Sequence, residues 1–230
     1  MRGEPSHQLP LTSFVSFLQN HDQIGNRAFG ERIVSLTNAQ ALRAALAILL
    51  LAPSPPLLFM GEEFGASTPF LFFSDFGPEL ANKVREGRRA EFSKFEQFSS
   101  AKAQQRIPGP NDPATFLVSK IDWSWTGKEQ HFEWLDFYRT LLSVRRKEIV
   151  PLLKQIVPGA ASYEVLTDHA IYVRWTLTEY RSLELLANLS TLAVDSEWRA
   201  EGTLVYATTD TTESEGGSLP PFSTAWFLSK

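Results

Sequence analysis

The residues best equipped for chemistry stand together in one stretch, Gln19-Asn20-His21-Asp22-Gln23-Ile24-Gly25-Asn26-Arg27. Asp22 beside His21 sets a fixed negative charge next to a hydrogen-bonding imidazole, a pairing suited to gripping vicinal hydroxyls and stabilising a developing cation. Asn20, Gln23, Asn26 and Arg27 surround that pair with amide and guanidinium groups, and Gly25 is expected to let the backbone turn where a side chain would obstruct it. A second polar stretch, Gly61-Glu62-Glu63-Phe64-Gly65, adds two carboxylates further along.

Elements that would hold these groups can be read on either side. Phe14 to Leu18 is short, apolar and β-favouring, as expected of a strand buried on both faces in a parallel sheet. A loop that follows a parallel strand is where α/β folds keep their chemistry. Thr37-Asn38-Ala39-Gln40 has the spacing of a capping box, and Ala39, Leu42, Leu46, Leu49 and Leu50 continue at helical spacing until Pro53 stops the run. Pro56 to Met60 is a second short apolar run. The order strand, helix, strand predicts a βαβ unit with both polar loops at the same end.

Asn20-His21-Asp22 after a hydrophobic strand resembles the fourth conserved region of the α-amylase family of glycoside hydrolases. The longer run Leu18 to Arg27 is similar to the trehalohydrolase branch of that family. Gly61 to Gly65, Ala66 to Phe76, and the Pro-rich Ile107 to Pro113 with the following Thr115 to Trp123 continue the similarity. The resemblance implies a fold that is α/β plus all-β: residues 1–150 would be the last part of a (β/α)8 barrel, with strands seven and eight, and residues 151–230 a small antiparallel β-sandwich.

It further implies that Asp22 is the carboxylate that stabilises the cationic transition state. Asn20, His21, Gln23, Gly25, Asn26, Arg27 and Glu63 would then bind the sugar, here maltooligosyl trehalose or a related α-glucan. Retaining hydrolysis needs a nucleophilic carboxylate and a protonated carboxyl about 5 Å apart. In this family those two follow strands four and five, which precede anything present here. The chain alone is therefore expected to be inactive, with the missing N-terminal barrel part as its natural partner. The strand at Phe14 to Leu18 would lack a neighbour and invite self-association through its edge. Pairing of Asp22 with Glu62 or Glu63 is the internal alternative. A sibling enzyme such as a branching enzyme or maltogenic amylase, or a non-catalytic carbohydrate-binding or assembly module, would share part of the pattern.

The bulk of the chain sets limits on these readings. Its 230 residues are 43% hydrophobic and 21% charged, enough for one large or two modest cores. A formal net charge of −4 provides no electrostatic footprint for nucleic acid. With no cysteine and four scattered histidines, His7, His21, His131 and His169, neither thiolate chemistry nor a histidine metal cluster is expected, and no cofactor is implied. The N-terminus has no signal-peptide core and the longest apolar run is too short to span a bilayer, so a cytoplasmic protein without membrane contact is expected.

Glu79 to about Phe98 reads as a surface helix whose Lys83, Arg85, Arg88 and Arg89 form a solvated face paired with Glu86 and Glu91. Asp122, Trp123 and Trp125 either line a sugar subsite or belong to a loop pinned by buried aromatics. Glu129 to Lys147 reads as an amphipathic helix with Phe132, Leu135, Tyr138 and Leu142 on one stripe, ending in cations that offset the helix dipole. Pro151 to Gly159 is expected to contain the domain boundary; beyond it the period changes to two, and strands are expected near Ser162–Leu166, Ile171–Leu177, Leu183–Asn188, Leu204–Tyr206 and Ala225–Leu228. A mobile loop is expected over Thr208–Pro221.

Overall fold

A computed structural model of the chain describes residues 5–195, 202–209 and 217–229. The chain forms two compact units, one comprising Met1–Leu18, Thr37–Leu57 and Asp136–Lys230, the other Gln19–Leu36 and Leu58–Leu135. Each is built from non-adjacent stretches of sequence.

In the first unit the apolar run after Asn38 folds as helix α2, Ala39–Leu51. The Asn38 side chain accepts a hydrogen bond from the Ala41 amide at 2.8 Å, so the cap sits one residue later than the Thr37 box predicts. Leu42, Ala44, Leu46, Ala47, Leu49, Leu50 and Leu51 are all buried, which leaves little of the helix circumference to water. Its end is held by Arg145. That buried guanidinium donates to the carbonyls of Leu50 at 3.0 Å, of Ala52 at 2.5 Å and of Ser54 at 3.0 Å, satisfying acceptors that a helix terminus otherwise leaves open. The expected dipole-offsetting surface cation is instead an interior cap, and burial lowers its pKa.

The strands expected on either side of α2 are represented by one parallel bridge between Ser16 and Pro56. The Ser16 amide donates to Pro55 at 3.0 Å and the Leu57 amide to Ser16 at 2.8 Å. Phe14, Val15 and Phe17 are 38%, 58% and 39% exposed, which corrects the reading of this segment as buried on both faces. One bridge covers one edge and neither face.

Period-two patterning gives the expected strands. β1 (Ile156–Thr167), β2 (Ala170–Leu177), β3 (Ser182–Asn188), β5 (Thr203–Ala207) and β7 (Ser223–Leu228) form one antiparallel sheet in the order β1-β2-β3-β7-β5. β3 is buried along its whole length, since strands flank it on both sides and α2 packs on the sheet near it. The helix is fixed to the sheet by Thr224 Oγ1 donating to the Ala44 carbonyl at 3.0 Å and Trp226 Nε1 to the Ala47 carbonyl at 3.2 Å. Trp175 stacks on Trp226 with ring centroids 5.5 Å apart. The remaining strands, β4 (Val194–Asp195) and β6 (Ser218–Leu219), make only a two-stranded ribbon. Among the described residues, the second layer on the sheet is therefore helix α2, where a sandwich would place another sheet. The mobile loop expected over Thr208–Pro221 lies largely outside the described residues.

The second unit carries short helices: α1 (His21–Gly25), α3 (Pro78–Phe92), α4 (Ala101–Gln105) and α5 (Pro113–Val118). Helix α3 ends six residues before the expected Phe98. The prolines of the 107–113 loop do not prevent helix formation beyond it, because Pro113 takes the first position of α5 while Asp112 caps it through the Ala114 amide at 2.9 Å. Gly30 packs against the Phe70–Leu71 backbone, with φ +62° and its own carbonyl accepting from the Phe70 amide at 2.9 Å. A Cβ there would lie 2.6 Å from the Phe70 oxygen. Gly30→Ala is expected to cost about 2–3 kcal/mol in urea unfolding, since neither backbone can yield. A loss below about 0.5 kcal/mol would mean that this close approach relaxes freely.

The last long helix, α6, covers Glu129–Val144. Tyr138 is buried on it as expected, and Leu141 with it, but Phe132 is 53% and Leu142 38% exposed. The buried line passes instead through His131, Tyr138, Leu141 and on to Arg145. Among the described residues no helix is long and apolar enough to cross a membrane.

Candidate functional site

The polar stretch after Leu18 is a one-turn helix with a built start. Asn20 has extended backbone and its side-chain oxygen accepts from the Asp22 amide at 2.7 Å, while the Gln23 side chain accepts from the Asn20 amide at 3.0 Å. Asn20 and Gln23 thus spend their side-chain carbonyl oxygens on the first turn of α1. Asp22 and His21 project from that turn. Their side chains are 68% and 69% exposed, and His21 Nε2 stands 3.4 Å from Asp22 Oδ1. The carboxylate is therefore accessible and oriented.

Gly25 is buried in α1 but has no left-handed backbone, and a Cβ would make ordinary contact at 3.9 Å with the Phe70 oxygen. The expected need for glycine at this turn is not what the geometry shows, because the chain there is helical. Arg27 pairs with Glu31 four residues on, Nε to Oε2 at 3.1 Å, and Asn26 closes the helix with its amide donating to the Asp22 carbonyl. Asn26 and Arg27 are both exposed.

Side chains from below fix this turn, among them the buried Arg32, which carries no signal in the sequence. Gln19, 4% exposed, donates to Glu62 Oε2 at 3.2 Å and accepts from the Ile33 amide at 3.0 Å. Glu62 also accepts from the Phe59 amide at 3.2 Å, so the two polar stretches are tied by one buried hydrogen-bonded pair. Arg32 is fully buried, donating to the carbonyls of Thr68 at 2.5 Å and Met60 at 2.8 Å and lying 5.1 Å over the Phe59 ring. Burial lowers its pKa, and the charges of Glu62 and Glu63 oppose that effect. Arg88 of α3 donates to the Gly25 and Arg27 carbonyls at 2.7 and 2.9 Å while lying over Phe72 and Phe92. This corrects the reading of the α3 cations as one solvated face, because Arg88 leaves that face to satisfy the end of α1.

Glu62 and Glu63 occupy a single 3-10 turn between Gly61 and Gly65, both left-handed. Glu62 is buried in the pair with Gln19, whereas Glu63 is half-buried. Trp123 is 58% exposed with its ring centroid 5.7 Å from that of Phe64 in the same turn. Trp125 instead stacks on the buried His131 ring at 5.1 Å, and His131 Nδ1 lies 2.7 Å from the Phe64 carbonyl. The loop is thus pinned by Trp125 and offers Trp123 outward. Asp122 caps the turn that follows, and hydrogen bonds from Ser124 hold its carboxyl below the usual range. Among the described residues no three His, Asp or Glu side chains come together to hold a metal ion.

A malto-oligosyltrehalose trehalohydrolase from Deinococcus radiodurans is 44% identical over 149 residues, 65% of this chain and 24% of that protein. One from Brevibacterium helvolum is 39% identical over 210 residues, 90% of this chain and 34% of that protein. The chain is similar to the C-terminal portion of malto-oligosyltrehalose trehalohydrolases. It spans about a quarter to a third of the length of these trehalohydrolases. Residues 158–226 match a domain of unknown function, DUF3459. A crystal structure from Salmonella typhimurium, described as an alpha amylase, superposes over 100% of this chain and 37% of its own, with TM-score 0.88 and 41% identity. An isomaltulose synthase from Protaminobacter rubrum, 13% identical with TM-score 0.55 over 93% of this chain and 42% of its own, shares the fold alone.

Proposed function

We propose that the chain is the C-terminal part of a glycoside hydrolase that cleaves the α-1,4-glucosidic bond next to the terminal trehalose of maltooligosyl trehalose, releasing trehalose. The observation that carries the reading is Asp22: an exposed carboxylate on a rigid turn, in the sequence Asn20-His21-Asp22, directly after the segment bridged to Pro56. At this place a carboxylate faces a sugar ring as the leaving group departs and positive charge develops on the anomeric carbon. His21 and the side-chain amides of Asn20 and Gln23 supply hydrogen bonds to the ring hydroxyls, with Asn26, Arg27 and Glu63 at the margins. Gly25 contributes through its place in α1.

In this proposal residues 1–150 carry the last two barrel strands and 151–230 the domain that follows. The nucleophile and the general acid come from barrel segments not contained in these 230 residues. The exposed Phe14, Val15, Phe17 and Leu57 form the apolar edge against which such a segment packs, and which drives self-association without it. The lack of cysteine fits a cytoplasmic setting. Incubating the chain alone with maltooligosyl trehalose is expected to release no trehalose above the buffer control, since one carboxylate can neither protonate the leaving group nor attack. Turnover comparable with that of a complete enzyme would contradict the assignment of the chemistry to residues outside the chain.

A further inference from the structure

A cleft of about 420 Å³ opens in the second unit, sharing Asn26 and Arg27 with the margin of the Asp22 site but not lined by Asp22 itself. Its floor is a ring cluster: Phe98 meets Phe29 at 5.8 Å and Phe92 at 5.5 Å between centroids. Phe92 and Phe98 are buried there with Ala28 and Ile107, so the floor is rigid. Phe95 continues the cluster outward, 6.2 Å from Phe92, yet is 55% exposed. The rim is polar, formed by Asn26, Arg27, Glu31, Gln97 and Arg106.

The charges on this rim indicate what it would take. Arg27 and Glu31 neutralise each other at 3.1 Å, and Arg106 lies over the Phe29 ring at 5.9 Å. A strongly anionic ligand would meet the Glu31 carboxylate on the same rim. An uncharged ring with an apolar face and hydroxyls around its edge meets every group, with its C–H face on Phe95 and its hydroxyls on the amides and the paired ions. We infer that this cleft is an accessory glucose-binding subsite that holds a further unit of an α-glucan chain, with Phe95 as its platform and Arg106 and Gln97 as hydroxyl partners. The inference rests on the glucan reading of the Asp22 turn and extends it to a second place of contact.

Calorimetric titration of this chain with maltoheptaose tests the subsite, using wild type, Asp22→Ala, Phe95→Ala and Arg106→Ala. Phe95 and Arg106 are exposed, so their replacement leaves the folded core in place, which an unchanged Tm checks. Phe95→Ala is expected to weaken binding about fivefold, and Arg106→Ala to weaken it in the same direction. Binding should persist in Asp22→Ala, because the cleft does not include that residue. Binding unaffected by both Phe95→Ala and Arg106→Ala, or abolished by Asp22→Ala, would overturn the subsite while leaving the reading of Asp22 intact. Absence of any binding by the wild-type chain would also overturn it. Persistence in Asp22→Ala with loss in Phe95→Ala would support the cleft whatever the fate of the catalytic proposal.

Discussion

Asp22→Asn, introduced into a complete enzyme in which this chain is joined to the barrel segment of a trehalohydrolase relative, is expected to lower kcat by about 10²- to 10³-fold with little change in Tm. The substitution keeps size and shape and removes the negative charge. That charge matters little to folding, because the side chain is 68% exposed and its ion contact is His21 at 3.4 Å. It matters when the sugar becomes cationic, since an interaction that strengthens only in the transition state acts on kcat. By contrast, Gln23→Ala removes the acceptor for the Asn20 amide and loosens the turn that aims Asp22. A loss spread over KM and kcat is the expected pattern there. Equal kcat for Asp22→Asn and wild type would mean that this carboxylate does not face the reacting ring.

Arg145→Met is expected to destabilise the first unit by about 3 kcal/mol, measured as a lower urea midpoint at unchanged slope. The guanidinium meets the carbonyls of Leu50, Ala52, Pro53 and Ser54, which lie where α2 ends and no amide follows to satisfy them. Methionine keeps much of the stem volume and supplies no donor, so buried acceptors are left open. Lysine should recover only part of the loss, since one ammonium cannot span four carbonyls as a planar fork does. A loss under about 0.5 kcal/mol would show that water takes over the arginine's role.

What could be read in the sequence followed from local chemistry. Alternation in Ile171–Leu177 and the apolar runs in Leu183–Asn188 and Ala225–Leu228 located three neighbouring strands, and the leucine-rich run after Asn38 located α2. The polar turn after Leu18 was legible because polar groups crowd it immediately after apolar ones. Arg32, Arg88 and Arg145 were not legible. Their charges resemble surface charges in a sequence, and only the fold brings backbone carbonyls such as Leu50, more than ninety positions from Arg145, to meet them. Phe14 to Leu18 misled in the opposite sense, since its apolar run forms a single bridge and leaves Phe14, Val15 and Phe17 exposed. The start of α2 was misplaced by one residue because Thr37 and Asn38 are both good caps and backbone geometry chooses between them.

The most direct test is a crystal structure of the joined protein, inactivated at its nucleophile, with maltooligosyl trehalose bound. An Asp22 carboxylate oxygen is expected within about 3 Å of a hydroxyl on the sugar ring at the scissile bond. A bound sugar whose reacting ring is met by other side chains, with Asp22 turned to solvent, would contradict it.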